Sequence, residues 1–176
     1  MALGGNLPSA QQGLPLATCT AALDRLELLG ITIVQCSSWY RSLPLPASSQ
    51  PPFVNGVVRI ATTLDPVQLL DVLHFVEAHF GRRRDARNAP RTLDLDLLAY
   101  GNTISGPQGH VRLPHPRMHQ RAFVLKPLAE LAPRWRHPVL GLTVVELLSK
   151  VSRDQSVELI EGGRRIRLRK GGDHLP

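Results

Sequence analysis

Two aspartates, Asp94 and Asp96, stand one residue apart in an otherwise apolar run. Side chains alternate along a strand, so both carboxylates would lie on one face and the neighbouring leucines on the other. With Cβ atoms about 7 Å apart, the like charges would repel unless a cation lies between them. Mg²⁺ prefers oxygen ligands, and one held by one or two carboxylates usually also binds substrate phosphates. The pair therefore predicts a metal site, although a solvated face of an edge strand would show the same spacing.

Several arginines precede this pair within a short stretch of chain. Guanidinium groups bind phosphate oxygens through paired, directional hydrogen bonds. Their proximity therefore favours a metal–phosphate site over a solvated strand face, while a solvated basic loop is the alternative for the arginines themselves. The arginines concerned are Arg82, Arg83, Arg84, Arg87 and Arg91.

The composition is that of an ordinary globular chain. At 176 residues, with 43% hydrophobic and 20% charged residues, it is long enough for one domain with a sizeable core. No apolar run approaches the roughly 18 residues that a membrane span needs. The opening residues lack the pattern of a signal peptide, and Cys19 and Cys36 do not make a disulfide framework. We therefore expect a cytoplasmic protein with both cysteines reduced.

The net charge of +7 points to anionic partners. Nucleic acid is the generic partner for such a balance, but the chain has only four Phe, two Tyr and two Trp, and they form no stacking platform in the sequence. Part of the charge lies in a basic tail at 156–176, which we expect to be a short hairpin or disordered. No additional apolar stripe stands out, so a monomer is the simplest expectation.

Hydrophobic periodicity and turn residues predict an α+β fold. Helices alternate with a strand pair, which indicates helices packed on the faces of a mainly antiparallel sheet. Asp65 and Pro66 open one helix with proline in its first turn. The predicted helices are 18–29, 65–81, 118–125 and 143–151, and the predicted strands are 31–40, 53–62 and 94–100, with a proline-rich loop at 41–52.

One strand that such a fold requires is hard to find in the sequence. A chain of this plan should open with a strand before Gly4, yet only Met1, Ala2 and Leu3 precede the glycines. A missing central strand would leave unpaired backbone groups in the core, each costing about 1–3 kcal/mol. Either three residues suffice for pairing, or the strand begins upstream of Met1.

Several short motifs follow one another across residues 1 to about 150, and each is unspecific alone. They lie at 3–7, 38–42, 50–55, Glu77 with 81–84, 90–96, 113–118 with Arg121, and 123–128. In their combined order and spacing they resemble the 6-hydroxymethyl-7,8-dihydropterin pyrophosphokinase family of folate biosynthesis. The resemblance implies a ferredoxin-like layered sandwich, with a pyrophosphokinase domain at 1–155 followed by the tail.

Such enzymes transfer diphosphate from ATP to the hydroxymethyl group of a reduced pterin and release AMP. The resemblance implies that Asp94 and Asp96 hold two Mg²⁺ ions with the triphosphate, and that Arg82 and Arg91 contact the transferring and leaving phosphates as catalytic groups. It places the nucleotide at Glu77, Arg82, Arg84, Arg91, His115 and Arg121. ATP and the reduced pterin are then the partners, and nucleic acid is not expected.

The resemblance also implies a slot for the pterin ring. Phe53 and Phe123 would sandwich the ring, and Asn55 would pair with its polar edge, as two aromatic faces and one amide suit a conjugated heterocycle. Ser42, Leu43 and Leu45 would line the same slot. From composition alone, plain core packing would be the more common role for either phenylalanine.

Two alternatives of other classes remain open from the sequence. A basic nucleic-acid-binding module would bind DNA or RNA in a salt-dependent way, without any need for Asp94 or Asp96. A catalytically inactive relative, suggested by the short opening strand, would fold and bind ATP weakly without turnover. The paired aspartates and the arginines around them argue against both.

Overall fold

A computed structural model describes residues 1–82, 89–106 and 109–161. Its strands are β1 (Ala2–Gly5), β2 (Thr32–Cys36), β3 (Tyr40–Ser42), β4 (Phe53–Ala61), β5 (Asp94–Asp96) and β6 (Val157–Leu159). Its α-helices are α1 (Pro15–Leu28), α2 (Pro66–His79), α3 (Ala122–Leu131) and α4 (Val144–Lys150), and a 3₁₀ turn covers Met118–Gln120. No helix in these ranges is both long and apolar enough to cross a bilayer.

The six strands form one sheet in which each pairing is antiparallel. The order is β5-β1-β4-β3-β6, and β2 pairs with another part of the long strand β4. Neighbouring residues of β4 face opposite sides of the sheet, as alternation along a strand requires. Val58 packs in the core with α1 and α2, whereas Val57 packs with Met118 and Val124 on the other side. The α+β fold with a mainly antiparallel sheet and helices on its faces is therefore confirmed.

The short opening strand is sufficient for pairing on both of its edges. Residues Ala2 to Gly5 pair with β4, and Ala2 to Gly4 pair with β5. Leu3 is almost completely buried in the core. The strand thus occupies the central position that the fold requires, and it lies directly beside the predicted metal-binding strand.

Several predicted boundaries were wrong. The predicted strand 31–40 is two strands, because β2 ends at Cys36 and β3 begins only at Tyr40. In addition, the register of β2 against β4 shifts between Ile33 and Gln35. The strand with the aspartates ends at Asp96 rather than at Tyr100, and the helix predicted at 118–125 is the 3₁₀ turn followed by α3. Local periodicity does not report where a pairing partner ends, which explains these differences.

The tail contributes a strand to the main sheet. Val157 to Leu159 pair with Ser42 to Tyr40, so the segment extends the β3 edge of the sheet and is not half of an isolated hairpin. Residues 162–176, which carry most of the tail's basic charge, lie outside the described residues. The division of the chain at residue 155 therefore stays a prediction.

Helix α2 begins where the sequence predicts it. The Asp65 carboxylate accepts hydrogen bonds from the backbone N–H groups of Val67 and Gln68, and the Gln68 side chain accepts one from the Asp65 N–H. This reciprocal capping box satisfies N–H groups that the first turn of a helix leaves unpaired. It fixes the start of the helix that carries Glu77 toward β5.

Gly56 allows Trp39 to pack on the sheet. A Cβ atom at residue 56 would lie 2.8 Å from Cζ3 of the buried Trp39 indole. We expect Gly56→Ala to lower the free energy of unfolding by about 1–3 kcal/mol, as overpacked core substitutions do. In a urea-unfolding cycle, Trp39→Phe should recover part of that loss, since the smaller ring vacates the contact. Strictly additive effects of the two substitutions would contradict this contact.

Candidate active site

Strand β5 presents both aspartates to one side of the sheet. Asp94 and Asp96 are half-buried and line a cleft, while Leu95 between them is buried in the core. The pairing with β1 aligns Gly4 with Asp94 and Ala2 with Asp96. The alternation that the sequence predicts is therefore present, and although β5 is an edge strand of the sheet, both carboxylates are only partly exposed.

Arg82 and Arg91 converge on Asp94. Nη1 of Arg91 lies 2.9 Å from one carboxylate oxygen, and Nη1 of Arg82 forms an ion pair with the other. Both arginine side chains are about four-fifths buried, which strengthens their attraction to anions relative to fully solvated groups. Arg84, Arg83 and Arg87 of the same basic stretch lie outside the described residues.

Glu77 lies beneath these groups and is almost completely buried. Its Oε1 accepts a hydrogen bond of 2.7 Å from the Leu95 N–H and also forms an ion pair with Arg82. The carboxylate thus joins α2 to the centre of β5 and to the arginine that contacts Asp94. The resemblance placed Glu77 with the nucleotide, and this geometry adds a supporting role under the paired aspartates.

Asp96 faces an arginine and a histidine. Nη1 of Arg121 lies 3.5 Å from Asp96 Oδ2, and Nε2 of His115 lies 4.0 Å from the same oxygen. Burial and the neighbouring Asp94 charge raise the pKa of Asp96, against the lowering effect of His115 and the arginines. Burial lowers the pKa of His115 although Asp96 opposes it. A divalent cation at this position would relieve the repulsion between the two carboxylates.

The donor set fits Mg²⁺ that is shared with phosphate. Among the described residues, no group of three or more His, Cys, Asp and Glu side chains is arranged to hold a metal ion alone. Two carboxylates on one face nevertheless match the usual protein contribution to a magnesium site, in which substrate phosphates and water complete the shell. Asp94 and Asp96 would hold the metal, and the arginines nearby would hold the phosphates.

A cleft connects this charged region to an apolar one. The space between its walls, including open solvent at its mouth, is about 870 Å³. Asp94, Asp96, Arg91 and Arg121 form its charged part. The predicted pterin residues all line the same cleft: Ser42, Leu43, Leu45, Phe53, Asn55 and Phe123.

The polar end of the apolar region is built by Asn55 and Ser42. Asn55 Nδ2 donates a buried hydrogen bond of 2.9 Å to Ser42 Oγ, which fixes the orientation of the amide. A Cβ at Gly4 would lie only 3.0 Å from Asn55 Oδ1 and from the Val54 carbonyl oxygen, so the glycine permits close approach of β1. Leu43 and Leu45 remain more than half exposed at the rim, where an apolar ligand surface could cover them.

Asn6 is a site residue to which the sequence analysis assigned no role. Its buried Oδ1 accepts a hydrogen bond from the Arg91 N–H, and its Nδ2 donates to Gln50 Oε1 and the Pro51 carbonyl oxygen. It therefore joins the β1 turn, the loop before β4 and the arginine loop. In the sequence, Asn6 is marked only as an amide residue directly after two glycines. Its hydrogen-bond partners are 44 to 85 residues away, so local sequence does not reveal them.

The fold and the site define a class: a small α+β protein whose cleft brings paired carboxylates and arginines, groups suited to metal-bound phosphates, beside an apolar region. The chain belongs to the 7,8-dihydro-6-hydroxymethylpterin-pyrophosphokinase family, whose model matches residues 1–133. The predicted resemblance is therefore confirmed, as is the prediction of an enzyme of folate biosynthesis. The nucleic-acid-binding module and the inactive relative are not favoured.

Three bacterial relatives named 2-amino-4-hydroxy-6-hydroxymethyldihydropteridine pyrophosphokinase illustrate the similarity. The Pseudomonas aeruginosa protein is 45% identical over 150 residues, covering 85% of this chain and 88% of the relative. The Synechocystis protein is 42% identical over 149 residues, covering 85% and 73%. The Methylorubrum extorquens protein is 38% identical over 163 residues, covering 92% and 97%.

Proposed function

We propose that this protein transfers the terminal diphosphate of ATP to the hydroxymethyl oxygen of 6-hydroxymethyl-7,8-dihydropterin. The hydroxyl oxygen bonds to the β-phosphorus, the bond from that phosphorus to the oxygen shared with the α-phosphate breaks, AMP leaves, and the hydroxyl proton is released. The observation that carries the proposal is the single cleft in which Asp94, Asp96, Arg91 and Arg121 meet Phe53, Asn55 and Phe123. It can hold a polyphosphate and a flat heterocycle side by side.

Asp94 and Asp96 are the metal-binding residues of this proposal, with two Mg²⁺ ions as the working count. Bound Mg²⁺ would neutralise phosphate charge and align the reacting groups. Arg82 and Arg91 approach from the Asp94 side and act as catalytic groups on the transferring and leaving phosphates. Arg121 and His115 approach from the Asp96 side, so phosphate oxygens would be bound from two directions. Glu77 and Arg84 complete the nucleotide-binding set.

Phe53 and Phe123 bind the two faces of the pterin, and the Asn55 amide binds its polar edge. Leaving that edge unpaired in a closed site would cost about 1–3 kcal/mol per polar group, so Asn55 selects for the pterin. Ser42 keeps the amide in place, and Leu43 and Leu45 cover the ring from the rim. A monomer acting in the cytoplasm completes the proposal, and the free thiols of Cys19 and Cys36 are in keeping with a reducing compartment.

The test is AMP release from ATP with and without the reduced pterin, in Mg²⁺ and after chelation. We expect AMP only when ATP, the pterin and Mg²⁺ are all present, and we expect chelation to abolish it reversibly because phosphate charge is then left without a metal. Liquid chromatography separates AMP from ADP and identifies the pterin diphosphate. Release of ADP in place of AMP, or AMP at the same rate without the pterin, would contradict the proposal.

A further inference from the structure

The segment after α4 lies beyond residues 1–133, which the family model matches, yet it lines a small depression that shares Ser42, Leu43 and Phe123 with the cleft. Its Gln155 makes two hydrogen bonds to the turn that begins α3. Gln155 Oε1 accepts from the Ala122 N–H at 2.9 Å, and Gln155 Nε2 donates to the Gln120 carbonyl oxygen at 2.8 Å. Only one orientation of the amide satisfies both partners, since one is a donor and the other an acceptor.

These bonds replace a missing local cap. Arg121 is the N-cap residue of α3, and its side chain makes no capping hydrogen bond. The first N–H groups of a helix need partners from outside the helix. Gln155 supplies one of them from 33 residues further along the chain.

The two bonds bracket Arg121 and directly precede Phe123. Arg121 points to Asp96 and also lies over the Phe123 ring, with Cζ 5.4 Å from the ring centroid. Both side chains line the substrate cleft. Any rotation of the 120–122 turn would therefore displace one phosphate-side group and one ring-side group together.

The segment that carries Gln155 is itself anchored on both walls of the cleft. On one side, Val157 pairs with Ser42 of β3. On the other side, Lys126 Nζ of α3 donates a hydrogen bond of 2.6 Å to the Val157 carbonyl oxygen. A small depression between the segment and the cleft is lined by Leu43, Phe123 and residues 154–157, among others.

We propose that Gln155 is a positioning residue of the transfer reaction, which holds Arg121 and Phe123 in the geometry that binds both substrates. The inference rests on the function proposed for the cleft. Gln155 acts through the backbone of the 120–122 turn and touches neither substrate. Catalysis is sensitive to displacements of about 1 Å in positioned groups, so a looser turn weakens productive substrate binding and lowers kcat/KM without unfolding the protein.

The test compares Gln155→Leu, which loses both bonds, with Gln68→Leu. Gln68 also accepts a backbone N–H bond at a helix start, but it does so at the opposite end of α2 from Glu77. We expect Gln155→Leu to lower kcat/KM for the pterin about 10- to 100-fold, mainly by raising KM. We expect Gln68→Leu to leave kcat and KM unchanged while lowering the midpoint of thermal unfolding by a similar amount. Gln155→Glu keeps an acceptor for the Ala122 N–H, so it should recover part of the activity.

Amide hydrogen exchange at 121–124 provides a readout that does not depend on turnover. We expect faster exchange there in Gln155→Leu and unchanged exchange there in Gln68→Leu. Unchanged exchange and kinetics in Gln155→Leu, or equal kinetic losses in the two leucine variants, would overturn the inference. If the wild-type protein releases no pterin-dependent AMP, the proposed function is overturned instead. Hydrogen exchange at 121–124 in the two leucine variants then still decides whether Gln155 holds the 120–122 turn in place.

Discussion

Asp96→Asn is expected to lower kcat for pterin-dependent AMP release by at least about 10³-fold, because groups that stabilise transition-state charge typically contribute 10²–10³ each and Asp96 is also a proposed metal ligand. Its carboxylate shares one face of β5 with Asp94 and faces Arg121 and His115. An amide of the same size keeps the shape but binds Mg²⁺ poorly. Steady-state kinetics across a Mg²⁺ titration measures the loss, and added Mg²⁺ should not restore the wild-type rate.

The same substitution should not destabilise the metal-free protein. Burial and the Asp94 charge disfavour the ionised form of Asp96, which is why its pKa is raised. A neutral amide removes that repulsion, so the midpoint of thermal unfolding in chelator should be equal to or above that of the wild type. Asp71→Asn on the exposed face of α2 is the matched control and should change neither property. An unstable Asp96→Asn protein, or one with wild-type turnover, would contradict the assignment.

Glu77→Ala is expected to lower the free energy of unfolding by about 2–4 kcal/mol, because it leaves the Leu95 N–H and one side of Arg82 without their buried partner. It should also reduce turnover strongly, since Leu95 separates the two metal-binding aspartates. Glu77→Gln keeps an oxygen acceptor for the Leu95 N–H and should recover most of the stability. Urea unfolding and AMP release measured on the same preparations separate these two effects.

Glu146→Ala is the control for the Glu77 series. Glu146 also accepts a backbone N–H bond, from Thr143 at 2.7 Å, but it does so at the exposed start of α4. Loss of this cap should cost about 1 kcal/mol and leave turnover unchanged. If Glu77→Ala lost no more stability or activity than Glu146→Ala, Glu77 would not be the support of β5 that its contacts indicate.

The start of α2 and the shared face of Asp94 and Asp96 were predictable because their signals are local. Asp65 and Pro66 predict the start of α2, and the structure adds a capping box between Asp65 and Gln68. Asp94 and Asp96 share a face because any strand alternates its side chains. The ordered motifs added the family, which the family model confirms. None of these inferences requires knowledge of which distant segment is the neighbour.

Other features depend on contacts between distant parts of the chain. The opening strand is stable at four residues only because β4 and β5 pair with its two edges, and the tail strand exists only beside β3. Asn6 and Gln155 satisfy backbone groups 33 to 85 residues away, so no local pattern marks them.

Residue types and spacing indicate paired carboxylates suited to a metal and guanidinium groups suited to phosphates, and only the family resemblance adds two phenylalanines with an amide for a heterocycle. The three-dimensional arrangement determines which groups support that chemistry, because a buried backbone N–H or carboxylate must find its partner in space rather than in sequence. Glu77 under β5 and Gln155 beside α3 acquire their roles in this way. Side-chain identity determines what each group can bind, and packing determines whether it is held where binding leads to reaction.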